Sequence, residues 1–217
     1  MLTVSWCFDS GNVSAWHAAN NVVRLFLEFG MDVNSRVPCD VDKKGKTPLF
    51  YVLFSKNVEL VKVLCNHKDI DLKGLIHPSL TSSNKEIQES LEVLLNHPNF
   101  DINETRTYFN MTLLHYACLN KNSELVQKLC QYPNIDVNIR DYTGRTPLMI
   151  ACEFYNPKAV KILLQHPNTN VDATDFDGNT ASDFIWRHPS SNDKFIKLWR
   201  RIEYSWLVVM NSSTKIV

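Results

Sequence analysis

The segment TPLMIACEFYNPKAVKILLQHPN, beginning at Thr146, sets a pattern that returns along much of the chain. A short apolar run opens at Leu148, a polar break follows, and Val160, Leu163 and Leu164 come back at helical spacing. Apolar residues three and four apart share one helix face, so the segment predicts two short helices joined by a tight turn. The threonine is placed to cap the first helix. A proline directly after it is tolerated, because the N–H it removes would have had no intrahelical partner. Residues before proline avoid helical geometry, so second helices should stop ahead of Pro98, Pro133 and Pro167. The DxN-type residues that follow, with Gly45, Gly144 or Gly178, supply turn chemistry for a hairpin leading to the next threonine.

Two markers repeat with this pattern. The opening tripeptide occurs as Thr47-Pro48-Leu49, Thr112-Leu113-Leu114 and Thr146-Pro147-Leu148, with a weaker Thr180-Ala181-Ser182. The steps from Thr112 to Thr146 and from Thr146 to Thr180 are equal. The closing marker reads LCNHKDIDL at 64–72, LLNHPNFDIN at 94–103, LCQYPNIDVN at 129–138 and LLQHPNTNVD at 163–172, at nearly constant spacing after a shorter first step. One marker opening and another closing each unit at matching period is the signature of a solenoid.

Thr112-Leu113-Leu114-His115-Tyr116-Ala117 resembles the TPLHxA start of the ankyrin-repeat family, and Gly144-Arg145-Thr146-Pro147-Leu148 with Ala151 and Gly45-Lys46-Thr47-Pro48-Leu49 strengthen the resemblance. It covers residues of about 20 to 185. It implies an all-α ankyrin-repeat solenoid of about five helix-turn-helix units joined by β-hairpin loops. We expect a single domain over 1–217, with a degenerate N-terminal unit at 1–35, repeats at 42–68, 72–98, 107–133 and 141–167, and a capping unit at 175–210.

Departures are informative too. In IHPSLTSSNKEIQESLEVLL, His77-Pro78 takes the Thr-Pro place, the usual hairpin glycine is missing, and the step from Thr47 to His77 is shorter than the later ones. A clipped hairpin and a weak joint are expected there. The first unit shows a second helix at 21–27 but only a hint of a first, as in a degenerate cap or a truncated product. At the C-terminal end, Phe195, Leu198, Trp199, Ile202 and Trp206 form one helical stripe. The segment 206–210 reads as core of the cap or as a docking segment.

Composition narrows the partners. Lysine plus arginine and aspartate plus glutamate are both 23, so no global field favours nucleic acid or anionic lipid. The start MLTVSWCFDSGN lacks a basic leader, and PLFYVLF and WLVVM are too short to span a bilayer, so no secretion or membrane partner is expected. The cysteines fall at repeat-related places: Cys118 and Cys152 follow HYA and MIA, while Cys65 and Cys130 stand where Leu95 and Leu164 stand elsewhere. Thiols alternating with leucine behave as small core hydrophobes, which suits a reducing cytoplasmic setting, or a nuclear one.

Candidate chemistry is sparse. CxxC, HExxH, GxSxG, P-loop and GxGxxG patterns are all missing, so no metal, cofactor or enzymatic activity is expected. His67, His97 and His166 share one position at the end of a second helix, where an imidazole could meet the last carbonyls. In the family, a histidine at the place of His115 typically hydrogen-bonds within the hairpin scaffold. The lysines of DKKGK, Lys43, Lys44 and Lys46, sit on a predicted hairpin tip, either as a grip for an acidic partner or as a solvated turn.

Placing the units in register gives a tip position that reads Lys43, Tyr108, Tyr142 and Phe176, the last three evenly spaced at the repeat period. Beside it lie Phe109, Met111, Arg145 and Asn179, with Leu119, Glu153 and Phe154 at inner-helix places. In ankyrin-repeat proteins the hairpin tips and inner helix faces form the partner surface, and the resemblance carries that role onto these positions. Rigid rings at repeated intervals concentrate contact energy, unless each merely packs on the neighbouring hairpin. The resulting expectation is a non-catalytic adaptor or scaffold, monomeric, binding another protein through Tyr108, Phe109, Met111, Tyr142, Arg145, Phe154, Phe176, Lys43 and Lys44. The alternative is a substrate-recruiting subunit of a ubiquitin-ligase-type complex, or a host-targeted effector, docking also through the Trp-rich C-terminal segment.

Overall fold

The computed structural model describes residues 32–36, 45–54, 57–105 and 109–187. The chain divides into two compact units, Met1–Asp101 and Ile102–Val217. In the first, α1 (Pro48–Leu53) and α2 (Val58–Cys65) form a helix pair, and a 3-10 turn (Pro78–Thr81) precedes α3 (Lys85–Leu95). In the second, α4 (Leu113–Leu119) pairs with α5 (Ser123–Leu129), α6 (Pro147–Glu153) pairs with α7 (Pro157–Gln165), and α8 (Ala181–Arg187) follows. Within that unit α4 packs on α6, α5 on α7 and α6 on α8, so first helices stack on first helices and second on second.

Two kinds of cap start these helices. Thr47, Thr112 and Thr146 each accept through the hydroxyl from the N–H three residues on, as the sequence predicts. Second helices use asparagine: the side-chain oxygens of Asn57, Asn84, Asn122 and Asn156 accept from Leu60, Ile87, Leu125 and Ala159 at 2.9 to 3.1 Å. A cap of either kind offsets one orphan N–H and is worth about 1 kcal/mol. The helices end at Leu95, Leu129 and Gln165, short of the prolines, as expected. Fully buried leucines form the core of each unit, among them Leu49, Leu64, Leu91 and Leu94 in the first and Leu113, Leu125, Leu129 and Leu148 in the second.

The predicted hairpins are tight turns, and no strand occurs among the described residues. Where a first helix is expected in the 72–98 repeat, a short 3-10 turn stands instead, its start capped by His77 Nδ1, which accepts from Ser79 N–H at 3.2 Å. Of the capping unit, α8 is described, with Ala181 and Ile185 buried. The stripe from Phe195 to Trp206 and the segment 206–210 lie outside the described residues, as do residues 1–31 of the N-terminal unit.

Candidate functional site

The fingers of the second unit are built around buried aspartates. Asp141 Oδ1 accepts from Thr143 N–H at 2.8 Å and Arg145 N–H at 2.9 Å, closing the turn from inside. Asp175 repeats this with Asp177 N–H at 3.0 Å and Asn179 N–H at 2.7 Å. Burial pushes both carboxyls up, but the hydrogen bonds from Thr143 and Arg145, and from Asn179 and Asp177, outweigh it and hold both below the usual carboxylate range.

Consecutive fingers are tied by one repeated rung. Tyr142 N–H donates to the Phe109 carbonyl at 2.9 Å, and Phe176 N–H donates to the Thr143 carbonyl at 3.1 Å. Donor and acceptor both advance by one full repeat, so Tyr142 and Phe176 occupy equivalent places, as the register of the sequence predicts. Fingers approach closely. A Cβ on Gly144, whose φ is +85°, would lie 2.7 Å from the Phe176 ring and 2.8 Å from the Phe176 backbone nitrogen, so a side chain there would push the next finger away.

The rings at this edge are exposed: Phe109 by 52%, Tyr142 by 55% and Phe176 by 72%, with Phe154 beyond α6 at 39%. Phe109 and Tyr142 touch, their centroids 5.4 Å apart and planes tilted by 54°. Packing on the neighbouring finger is therefore real, yet it leaves more than half of each of the three finger residues open. Tyr108, Lys43 and Lys44 lie outside the described residues.

Two residues expected on this surface belong to the scaffold. Met111 is only 6% exposed, since it precedes the capping Thr112 and is drawn into the stack. The Arg145 side chain is 20% exposed; its Nε and Nη2 donate to Asp141 Oδ2 at 3.1 and 3.0 Å, and its Nη1 to Glu153 Oε2 at 2.6 Å. Its guanidinium joins finger to inner helix rather than standing free for a partner.

A family model for ankyrin repeats, in three copies, matches residues 80–175. Residues 80–175 are therefore ankyrin repeats. The crystal structure of the ankyrin repeat domain of Bcl-3, described as a unique member of the IkappaB protein family, is similar in fold: the TM-score is 0.65 over 91% of this chain and 87% of that one, at 22% identity. No curated protein matches the sequence. The fold is thus an all-α ankyrin-repeat solenoid, and its ankyrin repeats are protein–protein interaction modules.

The ankyrin scaffold accounts for the histidines, with one correction. His115 is buried; its Nδ1 accepts from Thr112 N–H at 3.1 Å, which leaves Nε2 to donate to the Arg145 carbonyl of the next finger at 3.1 Å. Burial is the main reason its pKa falls to about 4. The imidazoles of His67, His97 and His166 do not bond the last carbonyls of their own helices; their backbone N–H groups donate there, to Leu64, Leu94 and Leu163. Their Nδ1 atoms accept from the N–H two residues on, at 3.1 to 3.4 Å, and so shape the following turn. Of the three, His97 alone has an Nε2 that meets a helix-end carbonyl, that of Cys65 in the preceding repeat. Cys65, Cys118, Cys130 and Cys152 are free thiols, and burial pushes every one of them up, Cys65 and Cys130 to about 11.

Sequence reasoning missed an asparagine seam. Asn34, Asn103 and Asn138 each donate through the side-chain amide to a carbonyl of the next repeat and accept an N–H from it: Asp69 and Asp71, Asn134 and Asp136, Asn168 and Asn170 respectively. The signal was present as the N of DxN, which reads as turn chemistry but serves the inter-repeat joint.

Proposed function

We propose that the chain is a non-catalytic adaptor that binds a partner protein across the finger tips and inner-helix edge of its second unit, with Phe109, Tyr142 and Phe176 as anchors and Phe154 beside them. The observation that carries this reading is the exposure of three rings along one edge, two of them, Tyr142 and Phe176, on turns fixed from below by Asp141 and Asp175. Preformed aromatic area loses little side-chain entropy on contact, so it yields more net affinity per residue than flexible polar chains. The same proposal places the chain in the cytoplasm or nucleus, where its core thiols stay reduced.

The test is affinity capture from a cell lysate with the wild type and with Phe109→Ala, Tyr142→Ala and Phe176→Ala combined, at matched helicity by circular dichroism. Proteins captured by the wild type alone support this face. Identical capture by both would reject it.

A further inference from the structure

Resting on that reading, we infer that the segment of the partner laid across Tyr142 and Phe176 is basic, with arginine or lysine side chains over the exposed rings. The charges around those rings carry the inference. The finger and inner-helix residues Asp141, Asp175, Asp177 and Glu153 are carboxylates, and Asp177 is exposed next to Phe176, the most open ring.

The cations of the same elements are already committed. Arg145 is bound to Asp141 and Glu153 and also acts on the charge of Asp175, so one guanidinium answers three carboxylates. Arg140 donates through Nη1 to the Gly144 and Thr174 carbonyls, tying two fingers together. The edge that presents the rings therefore carries surplus negative charge among its described residues, although the whole chain is formally neutral.

A cation over an aromatic face is drawn by the ring quadrupole, and a carboxylate beside the ring adds to the attraction. A planar guanidinium can stack on the ring and bond the carboxylate at once, which favours arginine over lysine. An acidic peptide or a phosphate backbone meets like charge at the same place, and complementary potentials are what select one partner over another.

Selection of random displayed peptides on the full chain tests this, run in parallel on the wild type and on Tyr142→Ala/Phe176→Ala. The expected result is enrichment of arginine- and lysine-rich sequences on the wild type alone. A synthetic peptide of the enriched sequence should lose about tenfold in affinity on the double variant. It should lose roughly threefold on Asp177→Asn and weaken as salt is raised. Neutral or acidic sequences that still depend on the two rings would overturn the basic chemistry while leaving the finger-tip face standing. Equal enrichment on both proteins would overturn the face and this inference together, and no enrichment on the wild type would also count against the inference.

Discussion

Within the second unit the finger tips and the seam beneath them invert the usual placement of side chains. At the tips, Phe109, Tyr142 and Phe176 stand in solvent; beneath them Asp141, Thr112, His115 and Thr146 are buried. Each buried polar group has a defined partner: Asp141 closes its turn, His115 joins Thr112 to the Arg145 carbonyl, and Thr146 caps α6. An unpaired polar group in such a place costs about 1 to 3 kcal/mol, so the seam holds its shape only while every partner is present. Tips and seam thus divide the work. Polar groups fix the fingers, and the fingers hold apolar area open.

The largest expected effect comes from the seam. His115→Ala removes the imidazole's bonds to Thr112 and to the Arg145 carbonyl and leaves a cavity, and should cost about 3 kcal/mol in urea unfolding, against a small change for any one tip ring. Acid should act through the same residue. The pKa of His115 lies at about 4 when folded and near 6.5 when unfolded, so the unfolded chain binds more protons between those values. The contribution is therefore intact above about pH 6.5 and lost as pH falls toward 4, amounting to about 3 kcal/mol. His115→Ala should flatten that part of the stability–pH curve.

The first unit shows what happens where such a seam is incomplete. In the 72–98 repeat, Ser90 is fully buried and its hydroxyl has no hydrogen-bond partner, at a place held by Leu60, Leu125 and Ala159 in the other repeats. Ser90→Ala should stabilise the chain by about 1 kcal/mol, because it removes an unsatisfied hydroxyl and improves helix propensity. Lys73 stands where Asn138 ends the run NIDVN, and an ammonium cannot accept an N–H as the asparagine oxygen does. Asn138→Ala should cost about 1 kcal/mol, and Lys73→Asn should raise stability by rather less, both read from denaturant midpoints.

Much of this was legible in the sequence, and what was not has physical causes. The threonine caps, the helix ends before proline and the equivalence of Tyr142 with Phe176 follow from spacing, which fixes backbone register. Side-chain direction does not follow from spacing. Met111 and Arg145 sit beside the tip in sequence, yet one turns under the stack and the other closes on Asp141 and Glu153. The departure from the repeat pattern at His77 falls where a 3-10 turn replaces a first helix, but the bare Ser90 hydroxyl depends on burial that a helical pattern alone leaves open. Asn57, Asn84, Asn122 and Asn156 each precede a second helix in plain view, though asparagine before a helix reads equally well as loop.

The central claim is that the tip rings are held by the scaffold and do not themselves hold it. Urea unfolding of the chain with Phe109→Ala, Tyr142→Ala and Phe176→Ala combined tests that most directly. Stability within about 1 kcal/mol of the wild type is predicted, since exposed side chains contribute little to folding and, among the described residues, the ring pairing lost is that of Phe109 with Tyr142. A loss as large as that of His115→Ala would contradict the claim and make the rings part of the stack.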